Sequence, residues 1–246
     1  MGVGIVPCPP APTVLEATAR SHPLDLGARR VISRCSVPAV PTSLTAATEL
    51  LAGRHPQVAA LHGAHGAIRL GRRPGVAERF RWLAESIAYQ QLSGRAAATI
   101  WSRVEDVLAG SVTPEAILAA GETRLRSAGL SGAKAASLLD LADRTSDGAI
   151  DLARVGRLAD ESVIEHLVTV RGIGRWTAEM FLIFALHRLD VWPIDDLGVR
   201  KGYAKVFGLG MTPTAKDLAP LGDPFRPYRT VVTLYCWRDL ETVLPT

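Results

Sequence analysis

The chain of 246 residues has little cysteine: Cys8, Cys35 and Cys236, an odd number, widely spaced and with no CxxC. That excludes a disulfide framework and a four-cysteine iron–sulfur cluster. Ligand spacing is also missing from the six histidines. His62 and His65 are three apart, but the Gly/Ala-rich stretch around them reads as loop, so no metal is expected there. No apolar run reaches the roughly 18 residues that a membrane span needs. The first residues, MGVGIVPCPPAPTVLEATARSHPLD, lack the basic start and long apolar core of a signal peptide. The expectation is a cytoplasmic protein with no membrane partner. Charge of one sign is not dominant either. With 28 basic and 24 acidic residues the net charge is +4, which permits a nucleic-acid partner without demanding one. Lysine is missing between Lys134 and Lys201.

What is present is an ordinary globular composition, 48% hydrophobic, in a length that suits one large domain or two small ones. Residues 1–45 are rich in Pro, Ala and Val without a sustained period and read as a poorly ordered segment. Residues 46–75 form a lead-in. Across its start, 42–53 fits a short helix capped by Thr42 or Ser43, and 63–75 reads as a loop with one strand. From residue 76 onward the pattern is helical. Phe80, Leu83 and Ile87 share one face, and so do Ile100, Trp101, Val104, Val107 and Leu108. Thr113 caps a helix with Pro114 at its first position. Further faces carry Leu138, Leu139 and Ala142, and then Val163, Ile164, Leu167 and Val168. The run 175–187 is apolar nearly all round and belongs at the centre of the bundle. Residues 227–244 supply a last helix. The fold class is all-α, with a short irregular or partly β N-terminal segment.

Between the helices 161–168 and 175–187 lies the turn Val170-Arg171-Gly172-Ile173-Gly174. Glycine accepts positive φ and lets another backbone come close. Such a turn aims N–H groups outward at the start of a helix, an arrangement suited to a phosphate. Taken alone, GIG is also compatible with two glycines that merely close a corner. Shortly after comes PIDD. Asp195 and Asp196 there can cap the helix that begins at Leu197, and a negative charge is favoured at such a helix start.

The segment Leu167, Val170, Gly172, Ile173, Gly174, Thr177, Ala178 resembles the helix-hairpin-helix motif of the DNA glycosylase superfamily, L-x-x-[LVF]-x-G-[IV]-G-x-x-T-A. The resemblance extends to SIAYQQLSGRAAATIWSRV, to LRSAGLSGAKAASLLDLADRTSDG and to FRPYRTVVTLYCWRD, and is strongest with the alkylbase branch of the 3-methyladenine DNA glycosylase II type. It covers residues 76–240. It implies a glycosylase domain at 76–246 in two lobes around a base pocket. The family's mixed α/β N-terminal domain would be truncated or absent here, because residues 1–75 are too short and irregular for it.

The resemblance also implies roles. Asp196 would be the catalytic aspartate, and Asp195 a cap, a helper or a solvated neighbour. Trp176 stands where lyase members carry a lysine, so a monofunctional, water-using enzyme is expected. An indole face there would attract a cationic methylated purine; core packing is the competing use of this residue. Trp237, Gln90 and Met180 would complete the base pocket, and Gln91 would be the wedge. Trp237 could equally close a core, and the two glutamines could be a solvent-facing pair. Gly172, Ile173, Gly174, Arg175 and Thr177 would hold a DNA phosphate. The carbonyls of Val168, Val170 and Gly172 would hold a monovalent cation when DNA is bound; no other cofactor is expected. The partner would be double-stranded DNA with damaged bases, met by a monomer associated with the nucleoid. Arg171, Arg200, Lys201, Lys205, Arg124, Arg126, Lys134, Arg226 and Arg229 are candidates for phosphate contacts. The rival readings are the same fold acting on oxidised, deaminated or mismatched bases, a non-catalytic helix-hairpin-helix DNA-binding protein, and a helical protein with a chance GIG turn.

Overall fold

The computed structural model describes residues 42–240. The proposed poorly ordered segment 1–45 lies almost wholly outside them, as do the last residues of the expected C-terminal helix. Eleven α-helices and no strands occur among the described residues: α1 Leu44–Ala52, α2 Pro56–His65, α3 Val76–Tyr89, α4 Gly94–Val107, α5 Pro114–Ser127, α6 Gly132–Ser146, α7 Asp160–Leu167, α8 Arg175–Met180, α9 Leu197–Val206, α10 Ala215–Leu221 and α11 Arg229–Asp239.

Local signals set most of these boundaries. Ser43, rather than Thr42, caps α1 by accepting from the Ala46 N–H. Thr113 caps α5 with Pro114 behind it, Ser131 caps α6, and Asp196 caps α9. Within α5, Gly121 takes φ +66 and kinks the helix.

Two expectations fail. Residues 63–75 are not a loop with a strand: α2 continues to His65, and only 66–75 lack regular structure. Pro56 starts α2, Val58 and Leu61 give it a buried side, and Gly66 ends it. His62 and His65 therefore sit on its last turn, where they meet Tyr235 Oη and Asp239 Oδ1, both at 2.9 Å. The run 175–187 is also not one α-helix. After Met180 it winds as a π turn, Phe181–Ala185, and Leu186 N–H reaches back five residues to Phe181 O. Such bulges add a residue to a helical turn and often mark functional places.

The run is central, as its composition requires. Ala178, Met180, Phe181, Leu182, Ile183, Ala185 and Leu186 are all buried. Helices α3, α4, α5 and α6 pack in succession, and α6 returns to α3. Helices α1 and α2 lie against α11, which packs on α9. One continuous apolar core joins them, including Ala47, Leu51, Val58 and Leu61 from the lead-in.

The α9–α11 crossing positions the site. Gly202 on α9 faces the Cys236 backbone, and a side chain there would lie 2.7 Å from the Cys236 Cα. Only glycine permits this approach. Gly202→Ala is expected to destabilise the protein by about 1–3 kcal/mol. The midpoint of urea unfolding would measure it; an unchanged midpoint would show that the crossing has slack.

Candidate active site

Asp196 stands one residue before α9 with φ −70 and ψ 117, the extended geometry of a cap. Its Oδ1 accepts from Val199 N–H at 2.7 Å and from Trp237 Nε1 at 2.9 Å. Its Oδ2 accepts from Trp176 Nε1 at 2.7 Å. An ionised carboxylate offers about four acceptor positions. Oδ1 is filled and Oδ2 has one position left. The two indoles differ in setting: Trp237 is 4% exposed and stacks on Phe184, whereas Trp176 is 44% exposed. Oδ2, which has the free position, thus lies beside the uncovered indole. Asp195 is exposed and its carboxylate has no hydrogen-bond partner among the described residues.

The hairpin immediately precedes α8, at the same end of that helix as Trp176. Gly172 has φ +79, a conformation that favours glycine, and a side chain there would meet Ser137 Oγ at 2.5 Å. Ile173 is buried and pins the turn. Gly174 precedes α8 without any side-chain cap, which leaves the first N–H groups of α8 available to an outside acceptor. Gln90 bridges from the end of α3. Its Nε2 donates to Gly172 O at 2.9 Å and lies 3.5 Å from Thr177 Oγ1. Gln91 is exposed at φ 57. Met180, by contrast, is buried in the core one turn beyond Trp176.

The structure thus brings Asp196, Trp176 and Trp237 into direct contact, and separately joins Gln90 to Gly172 and Thr177. Residues 84–225 match the family described as HhH-GPD superfamily base excision DNA repair protein. The chain belongs to that superfamily. Among relatives, DNA-3-methyladenine glycosylase 1 of Schizosaccharomyces pombe is 36% identical over 200 residues, 80% of this chain and 88% of that protein. A solved structure of the 3-methyladenine DNA glycosylase of that yeast, in complex with abasic DNA, superposes with a TM-score of 0.71. It is 34% identical and covers 82% of this chain and 100% of its own. The DNA-3-methyladenine glycosidase of Bacillus halodurans gives 0.71 at 32% identity, with 78% and 88% covered. The chain is a DNA N-glycosylase, a hydrolase.

Most basic residues around the hairpin of this HhH-GPD protein are already engaged. Arg175 makes a two-pronged pair with Glu161 at 2.7 and 2.9 Å and also meets Glu179 at 3.2 Å. Lys205 pairs with Asp239, and Arg226 and Arg229 with Asp190. Arg124 donates to Val107 O, Arg126 pairs with Glu122, and Arg200 reaches Pro213 O. Lys134 donates to Ala88 O and Gln90 O. Of the candidates, only the side chains of Arg171 and Lys201 have no partner among the described residues.

A cleft of about 410 Å³ lies behind α8, lined by Glu179, Arg175, Asp160 and Arg229 among others; Asp196 and the two indoles lie outside it. Its charges are paired, so it reads as a structural junction rather than a base pocket. Glu179 is its unusual member. It is the lone acid in the apolar run and is 4% exposed, a signal visible in the sequence but not used there. Burial pushes its carboxyl up to about 7, more than Arg175 pulls it down. Arg175 itself is raised chiefly by Glu161.

The folded state therefore binds the Glu179 proton more tightly than the unfolded chain does. The stability this contributes is complete below the ordinary value of 4.5 and is lost as pH rises towards 7. Glu179→Gln should remove that loss. Relative to wild type it is expected to gain roughly 1–3 kcal/mol between about pH 5 and pH 7.5, read by urea unfolding at both. A difference that stays constant with pH would contradict the assignment.

Proposed function

We propose that this chain is a monofunctional DNA glycosylase that removes alkylated purines of the 3-methyladenine type from double-stranded DNA. The observation that carries this is a single carboxylate, Asp196, held by three N–H donors between two indoles with one acceptor position open. The likeness to 3-methyladenine DNA glycosylases supports the substrate class. The missing lysine between Lys134 and Lys201 supports the use of water rather than an enzyme amine.

The target base is stacked in the duplex and must be turned out, at a cost of a few kcal/mol. Gln91 would fill the gap and the exposed face of Trp176 would receive the base, with Gln90 beside it. A cationic methylated purine is drawn to an indole face and is already a good leaving group. The bond from C1′ to the base nitrogen breaks, and its electron pair leaves with the base, which departs neutral. Positive charge develops on the sugar, as in other glycosyl transfers. Oδ2 of Asp196 offsets it and accepts a hydrogen bond from the attacking water. Water adds to C1′ and loses its proton to solvent by way of the carboxylate, leaving an abasic site and opening base excision repair.

The hairpin would hold a phosphate through the N–H groups of Gly174 and the start of α8, with Arg171 and Lys201 as free cations nearby. The carbonyls of Val168, Val170 and Gly172 fit as partial ligands of a monovalent cation. Val170 O and Gly172 O each accept one N–H, from Ile173 and Gln90, and keep a lone pair. Such a cation would supply positive charge between hairpin and phosphate. The protein would act as a monomer in the cytoplasm, at the nucleoid.

The test is release of free base from methylated duplex DNA. Wild type should free 3-methyladenine or 7-methylguanine. Asp196→Asn keeps an oxygen for the Val199 N–H, so stability should change by less than about 1 kcal/mol, while release falls at least about 100-fold with DNA binding retained. A variant as active as wild type would remove Asp196 from the chemistry. A wild type that binds DNA but frees no base would make the hairpin a phosphate clamp only.

A further inference from the structure

Helix α6 touches both turns that face the proposed DNA surface. Lys134, in its first turn, donates from Nζ to Ala88 O at 2.7 Å and to Gln90 O at 2.6 Å, where α3 ends. Burial lowers the pKa of this ammonium, and no carboxylate pairs with it among the described residues. A cation partly withdrawn from water is thus held by two carbonyls alone, and charge-assisted bonds of this kind are strong and directional. Three residues further on, Ser137 packs into the space left by Gly172. Three further again, Asp140 Oδ2 accepts from Arg171 N–H at 2.7 Å. Residues three apart are neighbours on a helix surface. The span from Lys134 to Asp140 is about 9 Å of helix.

Gln90 is fixed from both sides: Lys134 holds its carbonyl, and Gly172 O accepts from its side chain. Gln91 follows at φ 57, exposed. A non-glycine residue in this left-handed region is strained and persists only where its surroundings impose it. The Lys134 bonds to the carbonyls of Ala88 and Gln90 hold the backbone directly before Gln91.

We propose that Lys134 is a positioning residue for base eviction: through α6 it sets the Gln90–Gln91 turn at a fixed separation from the hairpin, so that docking of one phosphate places Gln91 in the helix gap. The proposal rests on the glycosylase reading above, in which Gln91 is the wedge.

The probe is a duplex carrying 2-aminopurine beside an abasic analogue, whose fluorescence rises when the neighbouring stack is opened. It needs no base release, so it reports on Lys134 even if the enzyme acts on another lesion. Wild type should raise the signal on binding. Lys134→Met is expected to lose most of that rise and to weaken binding of the abasic duplex by roughly 10- to 100-fold, with undamaged duplex bound within about twofold. Gln91→Ala should lose the rise equally, and the double variant no more than either. Lys134→Arg keeps the charge and can span both carbonyls, so it should recover most of the signal, which guards against a misfolded methionine variant. Release of an alkylated base should fall in the duplex for Lys134→Met but stay near wild type from single-stranded DNA, where no base need be evicted. A wild-type rise in Lys134→Met would overturn the proposal. So would equal losses on undamaged and abasic duplex, or on duplex and single strand, because a general loosening of the fold would act on all of them.

Discussion

The carboxylate of Asp196 is where three separate pieces of chain are tied together. Its backbone opens α9, its Oδ1 receives the Trp237 indole from α11, and its Oδ2 receives the Trp176 indole from α8. The bond to Trp237 depends on the close crossing of α9 and α11, which depends in turn on the missing side chain at Gly202. An indole can donate and cannot accept, so both tryptophans fit only a group rich in lone pairs. A neutral residue at 196 would satisfy the cap and leave one indole without its acceptor. The helix cap and the site chemistry therefore draw on the same two oxygens without competing for the same lone pair.

Around this junction, charge is used mainly to fix geometry. Arg229 with Asp190 and Lys205 with Asp239 join elements distant in sequence, and Arg175 with Glu161 joins the two helices of the hairpin. The more exposed of these pairs contribute little to stability individually, whereas Arg229 and Asp190 are largely covered; the shared effect is to orient helix ends. That leaves Arg171 and Lys201, on either side of α8, as cations whose side chains are not already committed.

Much of this was legible in the sequence, and the parts that were not share a cause. The helical class, the hairpin at 170–174 and the caps at Thr113 and Asp196 follow from short-range rules, because a cap or a glycine turn involves residues within about four positions. Segment 63–65 misled because His-rich and Gly/Ala-rich composition looks like loop, yet Val58 and Leu61 found a core to bury against in α11. The π turn at Phe181–Ala185 left no mark in an all-apolar run, since every register of such a run buries equally well. Lys134 looked like a phosphate contact because a lysine carries no sign of whether its ammonium faces water or the carbonyls of another helix. Glu179 was detectable, as an acid inside an apolar run.

By itself, the sequence determined the all-helical class from residue 76 onward, where the glycine turn falls, and that an aspartate begins the helix after it. Periodicity, caps and turn chemistry are properties of neighbouring residues, and no fold is needed to read them. Only the tertiary structure decided that Trp237, 41 residues away, and Trp176, 20 residues away, both aim an N–H at that aspartate. It also decided that one indole is buried while the other is open. Those outcomes depend on the angle and distance at which helices cross, set by the summed packing of residues from α1 to α11, and no local pattern encodes that sum.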